Sequence, residues 1–325
     1  MQNKLALIVA VYFWTFLVNA TTTNQEIIQI WLEKMANAGH MQTFSGTFVY
    51  GKNTELTVMK IFHRADELGE IERLVSMDGS GKEVIRNNNL VTCVLPDKNS
   101  VVVEKSRPLS TFPPSFPTQI SKLSYYIFSL KQQENVAGHL AQKITVTPKD
   151  QYRFGYSLWI DVKTGLLLKS HLTDENNKMV EQFLFTNLKY HEQLDDQLFK
   201  PTTDGKKYTW YKAKKQKNVN SKSFSGWGFD KLPPGFKVNM KRNHTMPRGN
   251  EPLKHLVVSD GLATVSVYVE NHLDEESNLL GGTSMGAINA YGRHLNKFHI
   301  TAVGDVPMIA VKMISESTRQ ITTND

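Results

Sequence analysis

The chain has 325 residues, 40% hydrophobic and 21% charged, which suits a globular protein of about two domains and excludes a disordered chain or one that crosses a membrane repeatedly. Lys and Arg total 38 against 31 Asp and Glu, a formal net charge of +7, but the excess is local. Lys206, Lys207, Lys212, Lys214, Lys215, Lys217 and Lys222 stand against Asp204 alone between Pro201 and Lys222; with Lys4 also set aside the remainder balances, and a globally basic nucleic-acid binder is excluded.

The chain opens with Lys4, the apolar run Leu5–Val18 and the small-residue end Val18-Asn19-Ala20, the pattern of a signal peptide cleaved after Ala20. An uncleaved anchor is the alternative, for which the run is short. A helix follows: Ile27, Ile28, Trp31, Leu32 and Met35 share a stripe, Asn24 can cap it and Gly39 can end it. Strands then dominate. Phe44, Gly46, Phe48 and Tyr50 alternate with Thr43, Ser45, Thr47 and Val49, and strand patterns recur at Leu56–Phe62, Leu90–Leu95, Val101–Glu104, Gln142–Thr147, Tyr152–Ile160, Leu166–Leu172 and Met179–Leu188. Asp78-Gly79, Asn87-Asn88-Asn89, Pro96-Asp97 and Thr164-Gly165 mark turns between them, so the pattern predicts a long antiparallel meander.

Phe112-Pro113-Pro114-Ser115-Phe116-Pro117 interrupts it as a loop or lid, because three prolines remove three ladder donors. The spacing of Ile120, Leu123, Ile127 and Leu130 predicts a second helix over Gln119–Lys131. Several strands are apolar on both faces, which fits either a curved sheet with a concave side open to an apolar ligand or an ordinary sandwich core. Residues 201–224 form the Lys-rich linker, either a solvated connector or a surface for an anionic partner.

Beyond the linker, Val265, Val267 and Val269 alternate with Thr264, Ser266, Tyr268 and Glu270 as a half-buried strand that pairs with His255–Ser259 through Asp260-Gly261. Another strand covers Phe298–Val303, and Pro307 opens a last helix with Ile309, Ala310, Met313 and Ile314 on one stripe. The organisation expected is 1–20 signal peptide, 21–200 first domain, 201–224 linker and 225–325 second domain.

Motifs for catalysis are weak. Gly282-Thr283-Ser284-Met285-Gly286 is a literal G-x-S-x-G, but a polar loop precedes it and no His follows Asp305, so the Ser–Asp–His order of a hydrolase is missing. The His residues show no metal spacing, and no phosphate-binding glycine loop is present; no catalytic residue, metal or cofactor is expected. Cys93 is the sole cysteine, which excludes an intramolecular disulfide, and it sits in Thr92-Cys93-Val94-Leu95 as a small apolar strand residue.

Thr43–Tyr50, Asp78–Arg86, Tyr152–Tyr156 with Leu158–Asp161, Thr164–Ser170, Leu232–Phe236, His255–Glu270 and Gly286–Arg293 together resemble, in order, the RseB/MucB family of periplasmic sigma-E regulators. The resemblance implies an α+β fold: an N-terminal unclosed antiparallel half-β-barrel plugged by helices, similar to the carriers LolA and LolB, plus a smaller C-terminal antiparallel sheet with a packed helix. It implies a non-enzymatic negative regulator in the periplasm, which binds the periplasmic part of an RseA/MucA-type anti-sigma factor, shields it from a DegS-type protease and is released by lipopolysaccharide or a related acylated amphiphile; homo-oligomers are also implied. A periplasmic lipid or lipoprotein carrier is the alternative, against which the second domain argues. Phe48, Tyr50, Trp159, Phe183 and Phe185 are the residues expected to receive an acyl chain, and Asp260, Tyr268 and Glu270, within Leu256–Glu270, those expected to meet the anti-sigma tail.

Overall fold

The computed structural model describes residues 23–79, 81–105, 116–203, 208–212, 226–244, 253–271 and 279–321. The expected signal peptide, the prolines of the 112–117 loop before Phe116 and most of the Lys-rich segment lie outside them. No helix among the described residues is long and apolar enough to cross a membrane.

Helix α1 (Asn24–Met41) begins one residue earlier than expected. Thr23 accepts the Glu26 N–H and the Glu26 carboxylate takes the Thr23 N–H at 2.6 Å, so Thr23 caps the helix in a reciprocal box. Gly39 does not stop it; the turn continues to Met41 and ends on extended Gln42. Ile28, Leu32, Met35 and Ala38 form the buried stripe.

Strands β1 (Phe44–Lys52), β2 (Glu55–Asp66), β3 (Gly69–Ser76), β4 (Glu83–Asn87), β5 (Leu90–Leu95), β6 (Ser100–Lys105), β7 (Tyr126–Val136), β8 (His139–Pro148), β9 (Gly155–Asp161), β10 (Leu167–Thr173), β11 (Met179–Tyr190) and β12 (Thr209–Lys212) make one sheet in the order β12-β6-β5-β4-β3-β2-β1-β11-β10-β9-β8-β7. Two runs of hairpins, β1–β6 and β7–β11, are joined by antiparallel β1–β11 pairing. The outer strands β12 and β7 do not pair with each other, so the barrel stays unclosed. Turn chemistry is local: Ala137 and Gly138 both take positive φ in the two-residue turn between β7 and β8, and Asn88 does so between β4 and β5.

Two expectations are corrected. Gln119–Lys131 is not a helix but a single 3₁₀ turn, Ile120–Lys122, followed by β7. The aromatic and β-branched run Tyr125-Tyr126-Ile127-Phe128 favours a strand, and Ile127, which helical spacing would bury, is 52% exposed while Tyr126 is buried. The Lys-rich segment is not connector throughout, because Thr209–Lys212 forms β12 beside β6, the parallel pair of this sheet. Strands β3 and β4 escape the alternation test because charged side chains occupy inward positions. They are neutralised across the ladder, with Arg86–Glu72 at 2.7 Å and Arg73–Glu83 at 2.9 Å.

The second unit contains β13 (Trp227–Phe229), β14 (Lys237–His244), β15 (Leu253–Ser259), β16 (Thr264–Asn271), β17 (Gly281–Met285), β18 (Ile288–Leu295), β19 (Phe298–Gly304), α2 (Met308–Ser317) and β20 (Thr318–Gln320). Its sheet runs β14-β15-β16-β19-β18-β17, and β13 pairs with β20. The β15–β16 hairpin at Asp260-Gly261 forms as expected. Val265, Val267 and Val269 point to α2, whose buried stripe is Ala310, Val311, Ile314 and Ser315; Ile309, expected on that stripe, is exposed. The fold is the α+β pair of antiparallel sheets anticipated, with one helix packed on each.

Candidate functional site

The sheet face that carries α1 also carries Phe44 and Phe48 of β1 and Phe183 and Phe185 of β11. Ring centroids lie 5.1 Å apart for Phe48–Phe183, 5.9 Å for Phe48–Phe185 and 5.1 Å for Phe183–Phe185. All three rings are at most 3% exposed, so they are packed core and not an open trough. Tyr50 faces the same way at the rim, 38% exposed, with its phenol hydrogen-bonded to Glu181 and pushed up by burial and by that carboxylate. Trp159 belongs to the same buried cluster but enters it from the other side of its strand: alternation along β9 sends Leu158 and Ile160 to α1 and Trp159 to the opposite face. There Lys169 and Lys143 lie 4.3 and 4.7 Å from the ring, and the indole N–H donates to Glu134 at 2.9 Å. Of the five residues Tyr50 alone is exposed, and the other four are packed in the core.

What stays accessible on the α1 face is further along the sheet. Register places Leu74, Val84, Cys93 and Val102 side by side across β3, β4, β5 and β6, flanked by Val91 and Leu95, and all six are half-buried. The sequence signal was the alternation of Val91, Cys93 and Leu95. What alternation did not show is that the row stays half-buried, with Leu74 packed against the phenylalanine cluster. Burial pushes the Cys93 thiol up, which keeps it an apolar thiol rather than a thiolate. Beside the row, the buried Glu72 carboxyl is pushed up to about 7 by desolvation, against the pull of Arg86.

Among the described residues, two polar contacts join the sheets, and Tyr152 packs against the core of the second. At the first, Arg153, in the β8–β9 connection, is wholly buried. Its Nε donates to Asp260 Oδ2 at 2.6 Å, and the other nitrogens reach Asp150 and the Pro234 carbonyl. Its guanidinium lies 4.7 Å from the Tyr125 ring and 5.0 Å from that of Phe236. The Tyr126 hydroxyl donates to Asp260 Oδ2 at 3.0 Å, and burial, then Asp260, push that phenol up so that it keeps its proton. Asp260 Oδ1 accepts the Leu262 and Ala263 N–H groups, which holds the β15–β16 turn. At the second, the β17–β18 turn puts Ala287 among Phe154, Leu172, Tyr156 and Val180, and its N–H donates to Glu181 at 3.1 Å. Gly286 is required there: φ is +67°, and an added Cβ would lie 2.2 Å from Lys52 Cε.

The residues expected to meet a partner are divided. Asp260 is taken up by the junction, its side chain 2% exposed, and is not offered at the surface. Tyr268 and Glu270 lie on the face of β16 turned away from α2, Tyr268 stacked on His255 at 4.5 Å and Glu270 Oε1 3.3 Å from His299 Nδ1. Arg153 is the residue that sequence reasoning missed, since its Asp260 partner is 107 positions away.

Ser284 is on strand β17, not at a strand-to-helix elbow, and its hydroxyl donates to Asn289 Oδ1. Among the described residues no group of three or more His, Cys, Asp or Glu is placed to hold a metal ion.

Comparison with known proteins agrees over nearly the whole chain. Residues 28–203 match the MucB/RseB N-terminal domain model and residues 221–319 the MucB/RseB C-terminal domain model. The sigma factor AlgU regulatory protein MucB of Pseudomonas aeruginosa is 30% identical over 295 residues, 89% of this chain and 90% of that protein. The sigma-E factor regulatory protein RseB of Haemophilus influenzae is 27% identical over 291 residues, covering 89% and 90%. The solved complex of Pseudomonas aeruginosa MucA and MucB superposes with a TM-score of 0.68 at 26% identity, covering 91% of this chain and 99% of the solved one.

Proposed function

The chain belongs to the MucB/RseB family, and on that premise we propose that it is a non-enzymatic negative regulator of the envelope stress response, exported to the periplasm by residues 1–20. It binds the periplasmic domain of an RseA/MucA-type anti-sigma factor, protects that domain from a DegS-type protease, and lets go when lipopolysaccharide or a related amphiphile binds. The observation that carries this reading is the full-length similarity to a MucB that has been solved with MucA bound. The working units are 21–200 and 225–325, tied by the Lys-rich 201–224. Of the residues assigned to the tail, Tyr268 and Glu270 remain available on the outer face of β16. For the acyl chain, the half-buried row Leu74, Val84, Cys93 and Val102 takes the place of the packed phenylalanines.

Linkage gives the test. If the amphiphile lowers affinity for the tail, the tail lowers affinity for the amphiphile by the same factor, typically about 5–150-fold. Isothermal titration of the chain from Thr21 onward with the anti-sigma periplasmic domain, with and without lipid A, and then in the reverse order, should return one factor in both directions. An environment-sensitive label on Cys93, the sole cysteine, should change its emission on lipid A addition. Tail affinity unchanged by saturating lipid A would sink release by amphiphile, and a silent Cys93 label would remove the acyl chain from this row.

A further inference from the structure

The rim strand β12, Thr209-Trp210-Tyr211-Lys212, lies parallel to β6, and no strand among the described residues pairs with its outer edge. Trp210 and Tyr211 are 52% and 56% exposed there. Register sets Trp210 beside Val101 and Tyr211 beside Val102, so alternation sends the two rings to opposite faces of the sheet. Val102 belongs to the half-buried row on the α1 face. Val101 is buried on the other face, where the segment after β11 crosses the sheet: Arg73 donates to the Leu198 carbonyl at 3.0 Å and the Thr202 N–H to Glu83 at 3.1 Å. The sheet thus ends in a rim with an aromatic ring on each side.

The chemistry around the rim is one-sided. Within six residues of the Trp210-Tyr211 pair the chain carries Lys206, Lys207, Lys212, Lys214, Lys215 and Lys217 against Asp204 alone. The opposite rim, β7, differs: its exposed large apolar side chain is the aliphatic Ile127, and its charges are mixed, Lys131 with Glu134. Exposed Trp and Tyr together with unbalanced Lys match a surface that is apolar beneath and anionic on top, since each ring has an apolar body and a polar tip.

We infer that β12 is a membrane-attachment rim, which seats edge-on in the headgroup layer of an anionic bilayer with Trp210 and Tyr211 on either side of the strand and Lys212 at the lipid phosphates. A protein docked on either face of the sheet would cover one ring and leave the other in water, whereas an interface entered edge-on surrounds both. Addition of a partner strand is disfavoured by Lys on and beside the edge. The same lysines favour the lipid surface, by about fivefold in affinity for each one held near it. Depth is limited by the outer edge of β12, whose unpaired N–H and C=O groups are satisfied among headgroups and water but not in hydrocarbon. The attachment is therefore peripheral and reversible, and it depends neither on the acyl row nor on the anti-sigma domain.

Sucrose-loaded vesicles of phosphatidylglycerol and phosphatidylethanolamine in equal parts should sediment the chain from Thr21 to Asp325, while vesicles of phosphatidylcholine should not. Salt at about 1 M should release it, because the screening length falls to about 3 Å. Trp210→Ala and Tyr211→Ala should each lower the partition coefficient about tenfold with the thermal midpoint unchanged. Lys212→Gln should lower it about fivefold, and Trp210→Phe should retain most of it. Lipids brominated near the headgroup should quench tryptophan emission in the parent and not in Trp210→Phe. Equal binding to both kinds of vesicle, a partition coefficient unchanged in the Trp210→Ala/Tyr211→Ala double variant, or quenching that survives Trp210→Phe would each overturn the assignment. Release by excess inorganic phosphate at constant ionic strength would reduce it to a free-anion site, and a double variant that loses the anti-sigma domain while the parent binds no vesicle would give the rim to a protein partner.

Discussion

Replacing Arg153 by Ala should destabilise the protein by about 3–5 kcal/mol, the usual result of removing one partner of a buried ion pair. The cost arises because Asp260 is left as an uncompensated buried carboxylate, while the Pro234 carbonyl loses a donor and Tyr125 and Phe236 lose the cation between them. The damage should concentrate at the contact between sheets, since these partners span the β8–β9 connection, the segment before β14 and the β15–β16 turn. Urea unfolding gives the magnitude, and small-angle scattering should show the two units moving apart. Adding Asp260→Asn to Arg153→Ala should recover part of the loss by removing the stranded charge. A loss below about 1 kcal/mol with unchanged scattering would mean that the Ala287 contact alone fixes the arrangement.

Phe185→Ala should cost about 3–5 kcal/mol, the range for a buried aromatic deleted from a packed core. Phe185 is 1% exposed and touches the rings of Phe44, Phe48 and Phe183. A lining residue of an open trough behaves differently, since truncating it enlarges a space that already exists and leaves stability nearly unchanged. A small loss of stability together with altered lipid A affinity would return the acyl chain to these rings. A large loss with lipid A binding unaltered agrees with the packed cluster described above.

Much of this architecture was legible where one local period decides. The alternation Val265, Val267, Val269 named both the strand and its buried face, and the Asp260-Gly261 turn named its partner strand. Phe48, Phe183 and Phe185 were legible as one face of a sheet. Whether that face is filled or open was not, because alternation states which side a residue takes and says nothing of what covers it. The β7 segment failed for a related reason: Ile120, Leu123, Ile127 and Leu130 fit a helical stripe, and only the pairing offered by β8 selects the strand. Arg153 left no local trace, since a buried arginine and a surface arginine look alike until the fold brings Asp260 to it. Asp260, expected to meet the anti-sigma tail, is bound by Arg153 and Tyr126 in the docked β15–β16 turn, a burial that no local pattern announces.

The proposed function requires this chain to hold the periplasmic domain of a MucA-type anti-sigma factor. Titrating that domain, from the same organism, into the chain from Thr21 to Asp325 and following both the heat of binding and the rate of its cleavage by a DegS-type protease tests it most directly. The account predicts a saturable complex and cleavage slowed in proportion to the fraction bound. Folded chain that gives no heat and leaves cleavage at the rate of the free domain would contradict it.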